Sequence, residues 1–222
     1  MTFALILKKH KYELLLFGLM QHLFMGMLLA DLEIYRNIFW PINMIILGFT
    51  SFGIYFEHNK KRIFILRVLV LTICATPLLA RVIGFSSSLM IYLSISYVLF
   101  FIYVFYEIFL FLVKPSYINK DVIVASGCGY LLLIEIATFT QQTIYTFQPL
   151  AYTGLDTSHP TASYIDFVYF SSITLTSIGF GDILPNMHYS KLLTALIGIA
   201  GQFYSVILVG ILISKFTAQN NK

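Results

Sequence analysis

Long runs of apolar residues alternate along the chain with short polar or charged segments. A helix that crosses the roughly 30 Å hydrocarbon layer of a membrane needs about 20 mostly apolar residues. Runs of about that length predict six spanning helices, at residues 12–30, 38–56, 63–83, 89–113, 122–147 and 189–216. We therefore predict an all-α membrane protein with six transmembrane helices. An even number of spans places both chain termini on the same side.

The basic residues predict which side that is. If the N-terminus is cytoplasmic, all but three of the 14 lysines and arginines lie in or near cytoplasmic segments, the exceptions being Arg36, Arg81 and Lys191. Cytoplasmic loops are enriched in lysine and arginine. We therefore expect a multi-pass protein of the plasma membrane with both termini in the cytoplasm.

The composition favours lipid as the surrounding solvent. Hydrophobic residues make up 59% of the chain and charged residues only 11%, whereas soluble domains carry about 25% charged residues. The net charge of +4 comes from clusters between the apolar runs, which favours an anionic membrane surface over nucleic acid as the partner. No catalytic, metal-ligand or phosphate-binding spacing occurs, so we expect neither enzyme activity nor a cofactor.

The segment 148–188 fits neither a span nor a short loop. Residues 148–162 are polar and predict an exposed outer loop. Ser163, followed three residues later by Asp166, is typical of a helix start. The apolar stretch from 166 to 176 is too short to cross a membrane, so we predict a re-entrant half-helix. Non-helical backbone after it must be buried in protein or line water.

The residues that follow the half-helix suit the binding of a dehydrated cation. Rings of backbone carbonyls can replace the oxygens of its hydration shell. Carbonyls point one way only if alternate residues adopt unusual dihedral angles, which glycine permits most easily, and Gly179 and Gly181 are spaced by two. Ser177 adds a hydroxyl at the inner end, Ile178 and Phe180 are expected to wedge against the half-helix, and its partly negative C-terminus favours a cation.

This run resembles the signature of the potassium channel family, T-x-G-[YF]-G-D after a short pore helix. Gly179, Phe180, Gly181 and Asp182 match this signature directly, and Thr176 and Pro185, which flank it, also stand where the family pattern places them. The resemblance implies a selectivity filter formed by Thr176, Ser177, Ile178, Gly179, Phe180, Gly181 and Asp182. It also implies that K⁺ is the permeant ligand, held at Ser177, Ile178, Gly179 and Phe180, and that the Asp182 carboxylates ring the outer mouth.

A ring of carbonyls needs four filter strands, and each chain supplies one. We therefore expect a homotetramer with fourfold cyclic symmetry. Residues 1–118 would form four peripheral helices, and residues 119–222 the pore domain with its outer helix, pore helix, filter and inner helix. The span 89–113 contains no arginine or lysine, so it lacks the arginine array of a voltage sensor.

One departure from the family pattern leaves the ion selectivity open. Ser177 stands where the family usually has threonine, and it lacks the methyl group that stiffens a branched side chain. A non-selective sodium and potassium channel is therefore an alternative. A non-conducting membrane scaffold or accessory subunit that retains the filter is another.

Two carboxylates lie well inside predicted spans, away from the span ends, where a lone charge is costly. We expect Glu107 either to pair with Arg67 or to be protonated or face water. We expect Glu135 either to have a functional role or to accept a hydrogen bond from a pore-helix hydroxyl, at Ser171 or Ser172.

The last span offers candidate gating residues. Gly201 falls at the family's usual inner-helix hinge position. Val209 and Ile213 share a helix face with Ser205 and, with Gln202, could line the cavity and close it by dewetting, although helix packing alone produces the same stripe. Few residues flank the first and last spans, so we expect regulation to come from the membrane, the pore or a partner protein.

Overall fold

The computed structural model describes residues 7–28, 31–55, 59–84, 86–113 and 119–220. Most of these residues are helical, as the apolar pattern predicted. The main helices are α1 (Lys11–Phe24), α2 (Leu32–Tyr55), α3 (Lys60–Ile83), α4 (Ser87–Val113), α5 (Lys120–Phe147), α6 (Pro160–Leu175) and α7 (His188–Asn220). Two strands of two residues, β1 (Tyr152–Thr153) and β2 (Leu184–Pro185), and two 3-10 turns, Met25–Leu28 and Pro149–Ala151, are also present.

Five of the predicted spans are helices long and apolar enough to cross a membrane. They lie in α2, α3, α4, α5 and α7. The first predicted span is shorter than expected, because α1 ends at Phe24 and a 3-10 turn, Met25–Leu28, follows it. Glycine has a low helix propensity, and Gly26 lies in this turn. Helix and turn together rise about 29 Å, close to the roughly 30 Å of the hydrocarbon layer. They are not among the five helices above, so a sixth crossing stays a prediction.

Helix α5 lies at the centre of the fold and packs against α1, α4, α6 and α7. An aromatic cluster joins α2, α4 and α5 to the short helix α6. The Trp40 ring lies 4.7 Å from the Tyr164 ring, and the indole N–H of Trp40 donates to the Tyr97 hydroxyl at 3.1 Å. Phe139 packs edge-on against Tyr97 at 4.7 Å. The position of α6 is therefore tied to α2, α4 and α5.

The predicted partner of Glu107 is wrong. Arg62 Nη1 donates to the two Glu107 carboxylate oxygens at 2.9 and 3.1 Å, whereas Arg67 is exposed. Five residues correspond to about 500° of helix rotation, so Arg62 and Arg67 lie on different faces of α3. The Tyr103 hydroxyl donates to Arg62 O at 3.1 Å and fixes the face that α3 turns toward α4.

Candidate functional site

The half-helix predicted from the sequence is α6, and it begins earlier than expected. Pro160 is its first residue, and His159 caps it, because His159 Nδ1 accepts a hydrogen bond from the Thr161 amide at 3.1 Å. Proline is favoured at the first helical position, so the helix begins at Pro160 rather than at the predicted start, Ser163. The outer loop is accordingly shorter than predicted, and it includes buried residues such as Ala151 and Tyr152.

Residues 176–182 form the strand directly after α6. This strand has the alternating backbone that the glycine spacing predicted. The φ angles of Ser177, Gly179 and Gly181 are 59°, 56° and 81°. These values lie in the left-handed region, which is open to glycine and costs other residues about 1–2 kcal/mol. An alternation of this kind turns successive carbonyls toward one side of the strand, the arrangement needed for cation ligands.

Ser177 is the only residue other than glycine with a positive φ in the described parts of the chain. Sequence reasoning assigned the unusual dihedrals to glycine and missed this position. Two hydrogen bonds offset its strain. The Ser177 amide donates to Thr174 O at 3.1 Å, and Ser177 Oγ accepts from the side-chain amide of Gln202 at 2.7 Å.

The inner end of the strand is fastened to the C-terminus of α6. The amides of Ile178 and Gly179 both donate to Ile173 O, at 2.9 and 3.2 Å. The Thr176 hydroxyl donates to Ser172 O at 2.7 Å. These amides therefore face α6, and in an alternating strand the carbonyls are left to face the opposite side.

The side chains of the strand pack less tightly than predicted. Ile178 and Phe180 are 57% and 72% exposed in a single chain, so they do not wedge deeply against α6. Phe180 lies parallel to the Tyr169 ring with centroids 6.4 Å apart. The Tyr169 hydroxyl donates to Asp182 Oδ2 at 2.6 Å and thereby lowers the pKa of the Asp182 carboxyl. Sequence reasoning missed Tyr169.

The outer loop passes close to the far end of the strand. The antiparallel pair of β1 and β2 joins the loop to the residues that follow this strand. Gly154 has a φ of +88°, and a Cβ added there would lie 2.1 Å from Asp182 O. Only glycine fits this crossing.

Two residues of the outer loop, Asp156 and His159, make structural contacts. The Asp156 amide donates to Asp166 Oδ2 at 2.6 Å, and the Asp156 carboxylate accepts from the Ser158 amide at 2.8 Å. His159 Nε2 lies 3.2 Å from Glu33 Oε1. Within the described residues no group of three or more potential metal ligands occurs.

The predicted hydroxyl partner of Glu135 is also wrong. Ser171 donates to Gln141 Oε1 at 3.2 Å, and Ser172 donates to a carbonyl of its own helix. Glu135 Oε1 instead lies 2.6 Å from Nδ1 of His22 in α1, and both side chains are buried. Helix α6 contributes Tyr164, whose hydroxyl lies 3.4 Å from the same nitrogen.

The inner helix α7 runs without a break through Gly201. An added Cβ at Gly201 would lie 2.7 Å from Leu175 O, so this glycine permits close packing against the end of α6. A hinge at Gly201 stays a prediction. Val209 and Ile213 are 52% and 61% exposed in a single chain, and their gating role also stays a prediction.

Comparisons with known proteins agree with this geometry. Residues 131–218 match the family described as "Ion channel". Two-pore potassium channel 1 of Arabidopsis thaliana is 39% identical over 57 residues, which cover 26% of this chain and 15% of the relative. Two-pore potassium channel 5 of the same plant is 30% identical over 99 residues, which cover 44% of this chain and 22% of the relative.

The matched parts span less than a quarter of the length of either relative. No solved structure matches the chain. The resemblance predicted from the filter motif is nevertheless confirmed, because the family match includes α6, the strand that follows it and most of α7. Residues 131–218 thus match the ion-channel family, and the chain is similar over part of its length to two potassium channels.

Proposed function

We propose that this chain is one subunit of a homotetrameric, potassium-selective channel that passes K⁺ passively down its electrochemical gradient. The carbonyls of residues 177–180 would hold the ion, and the Ser177 hydroxyl would complete the innermost site. Asp182 would attract cations to the outer mouth. The peripheral helices would not sense voltage through an arginine array.

The observation that carries this proposal is the left-handed backbone at Ser177, Gly179 and Gly181. A surface turn has no need for three such residues at every second position. A strand whose carbonyls must share one side does need them, because each left-handed residue reverses the orientation that a β-strand would give its peptide group. The amides that bond to Ile173 O are consistent with carbonyls directed away from α6.

Exposed apolar surface supports the assembly of several copies. All filter residues from 176 to 182 are exposed in the single chain, so one chain surrounds only one side of an ion. Helix α7 also presents large apolar side chains that the described residues leave exposed, among them Leu192, Leu196, Ile199, Phe203 and Val206. Fourfold cyclic symmetry would close the carbonyl ring and bury part of this face.

Ser177 favours a second candidate, a channel that admits Na⁺ as well as K⁺, because serine leaves the innermost site less rigid than threonine. Ion-flux measurements on the purified protein in liposomes separate these functions. We expect K⁺ flux that barium blocks, and a reversal potential in mixed sodium and potassium solutions close to the potassium equilibrium potential. A reversal potential near zero would indicate a non-selective pore.

A substituted filter provides the control for these measurements. Gly179→Ala places alanine at a φ of 56°, which strains the backbone, while the added methyl group contacts no other atom of the single chain. We expect the variant to assemble and to lose most of its flux. Wild-type protein that forms tetramers yet passes no cation would support the scaffold alternative instead.

A further inference from the structure

A side chain of the inner helix reaches the filter strand. The amide nitrogen of Gln202 donates to Ser177 Oγ at 2.7 Å across 25 positions of sequence. Many other hydroxyls bond within their own helix, as Thr140 does to Ile136 O, one turn back in α5, at 2.6 Å. The contact between Gln202 and Ser177 therefore joins two separate elements at the inner end of the filter.

Gly201 makes this contact geometrically possible. Cβ of any other residue at position 201 would lie 2.7 Å from Leu175 O and 3.0 Å from Leu175 Cα, closer than such atoms approach. The absence of a side chain lets α7 lie against the end of α6. The next residue, Gln202, is thereby brought within hydrogen-bond distance of Ser177.

The hydrogen bond restricts a side chain that would otherwise be free to rotate. A serine hydroxyl has three staggered χ1 positions, whereas a branched threonine is stiff at χ1. A hydroxyl oxygen has two acceptor lone pairs. With one of them bound to the Gln202 amide, Ser177 Oγ is held in one position and keeps the other lone pair for a cation.

We propose that Gln202 is a positioning residue for the innermost ion site and contributes to potassium selectivity. By holding the Ser177 hydroxyl, it replaces the rigidity that the threonine methyl group supplies in the family pattern. A fixed hydroxyl suits K⁺, whereas a mobile one can move inward to coordinate the smaller Na⁺. This inference rests on the proposed potassium-selective function.

Substitution of Gln202 by leucine tests the proposal, because leucine has no donor. The readout is the permeability ratio of K⁺ to Na⁺, obtained from reversal potentials of the purified full chain in planar bilayers. We expect Gln202→Leu to lower this ratio about two- to tenfold, the range that one hydrogen bond supplies. Ser177→Thr added to the same chain is expected to restore the ratio, because the branched side chain is stiff without the donor.

Two further variants complete the experiment. Thr140→Val removes a side-chain hydrogen bond within α5 and should keep the wild-type ratio. Gln202→Asn, one methylene shorter, should lower the ratio as leucine does, and it serves if the leucine variant fails to assemble.

The outcomes separate this inference from the function on which it rests. A wild-type ratio in Gln202→Leu or Gln202→Asn overturns the positioning role, and so does a lowered ratio that Ser177→Thr fails to restore. Equal permeability of the wild-type channel to K⁺ and Na⁺ refutes the proposed potassium selectivity itself.

Discussion

The buried pair of His22 and Glu135 should make a measurable contribution to stability. Nδ1 of His22 lies 2.6 Å from Glu135 Oε1, and the two side chains are 1% and 0% exposed. Glu135→Leu removes the acceptor while filling most of its volume, so its main effect is to leave the His22 ring buried without that partner. Glu135→Gln keeps an acceptor oxygen in nearly the same place.

The expected magnitudes follow from the burial of both groups. A buried polar group that loses its partner costs about 1–3 kcal/mol, whereas replacing both partners by apolar groups of similar shape can be nearly neutral. For a chain of this length 1 kcal/mol shifts the melting temperature by about 2–4 °C. We therefore expect Glu135→Leu to lower the melting temperature by about 2–12 °C, and Glu135→Gln by less. The double variant His22→Leu/Glu135→Leu should be more stable than Glu135→Leu alone.

Tryptophan fluorescence during thermal unfolding in detergent provides the assay. The chain has one tryptophan, and the ring of Trp40 lies 4.7 Å from the ring of Tyr164, whose hydroxyl contacts His22. Its emission should therefore report unfolding of the core that holds the pair. A double variant no more stable than Glu135→Leu alone would refute the reasoning, because the cost would then come from packing rather than from an unpaired polar group.

Two further predictions concern other contacts. Because Arg62 and not Arg67 pairs with Glu107, Arg62→Gln and Glu107→Gln should each lower the melting temperature, whereas Arg67→Gln should leave it unchanged; equal effects of the two arginine substitutions would contradict the pairing. The Tyr169 hydroxyl lowers the pKa of Asp182, so the Asp182 carboxylate keeps its charge until the pH falls through that lowered pKa. Tyr169→Phe should raise the pKa of Asp182. In current recordings at graded outer pH, the loss of current with acid should then begin at a higher pH than in the wild type. An unchanged midpoint of this current loss would show that Asp182 does not control it.

Local sequence patterns were enough to predict most of the architecture. Apolar runs of about 20 residues predicted the long helices, because the length of a helix needed to cross a membrane is fixed by the bilayer. Two glycines at alternate positions predicted the filter backbone, because left-handed dihedrals are a property of single residues. The sequence also contains a signal for the start of α6, Pro160, which lies three residues before the predicted start at Ser163.

Contacts between helices could not be predicted in the same way. His22 and Glu135 are 113 positions apart, and Arg62, rather than Arg67, meets Glu107 because of the rotation of α3 about its axis. The bond from Gln202 to Ser177 depends on how closely α7 approaches α6 at Gly201. Apolar composition determines that a segment is a membrane helix, but it leaves rotation and separation free. Those are decided only when all the helices pack together.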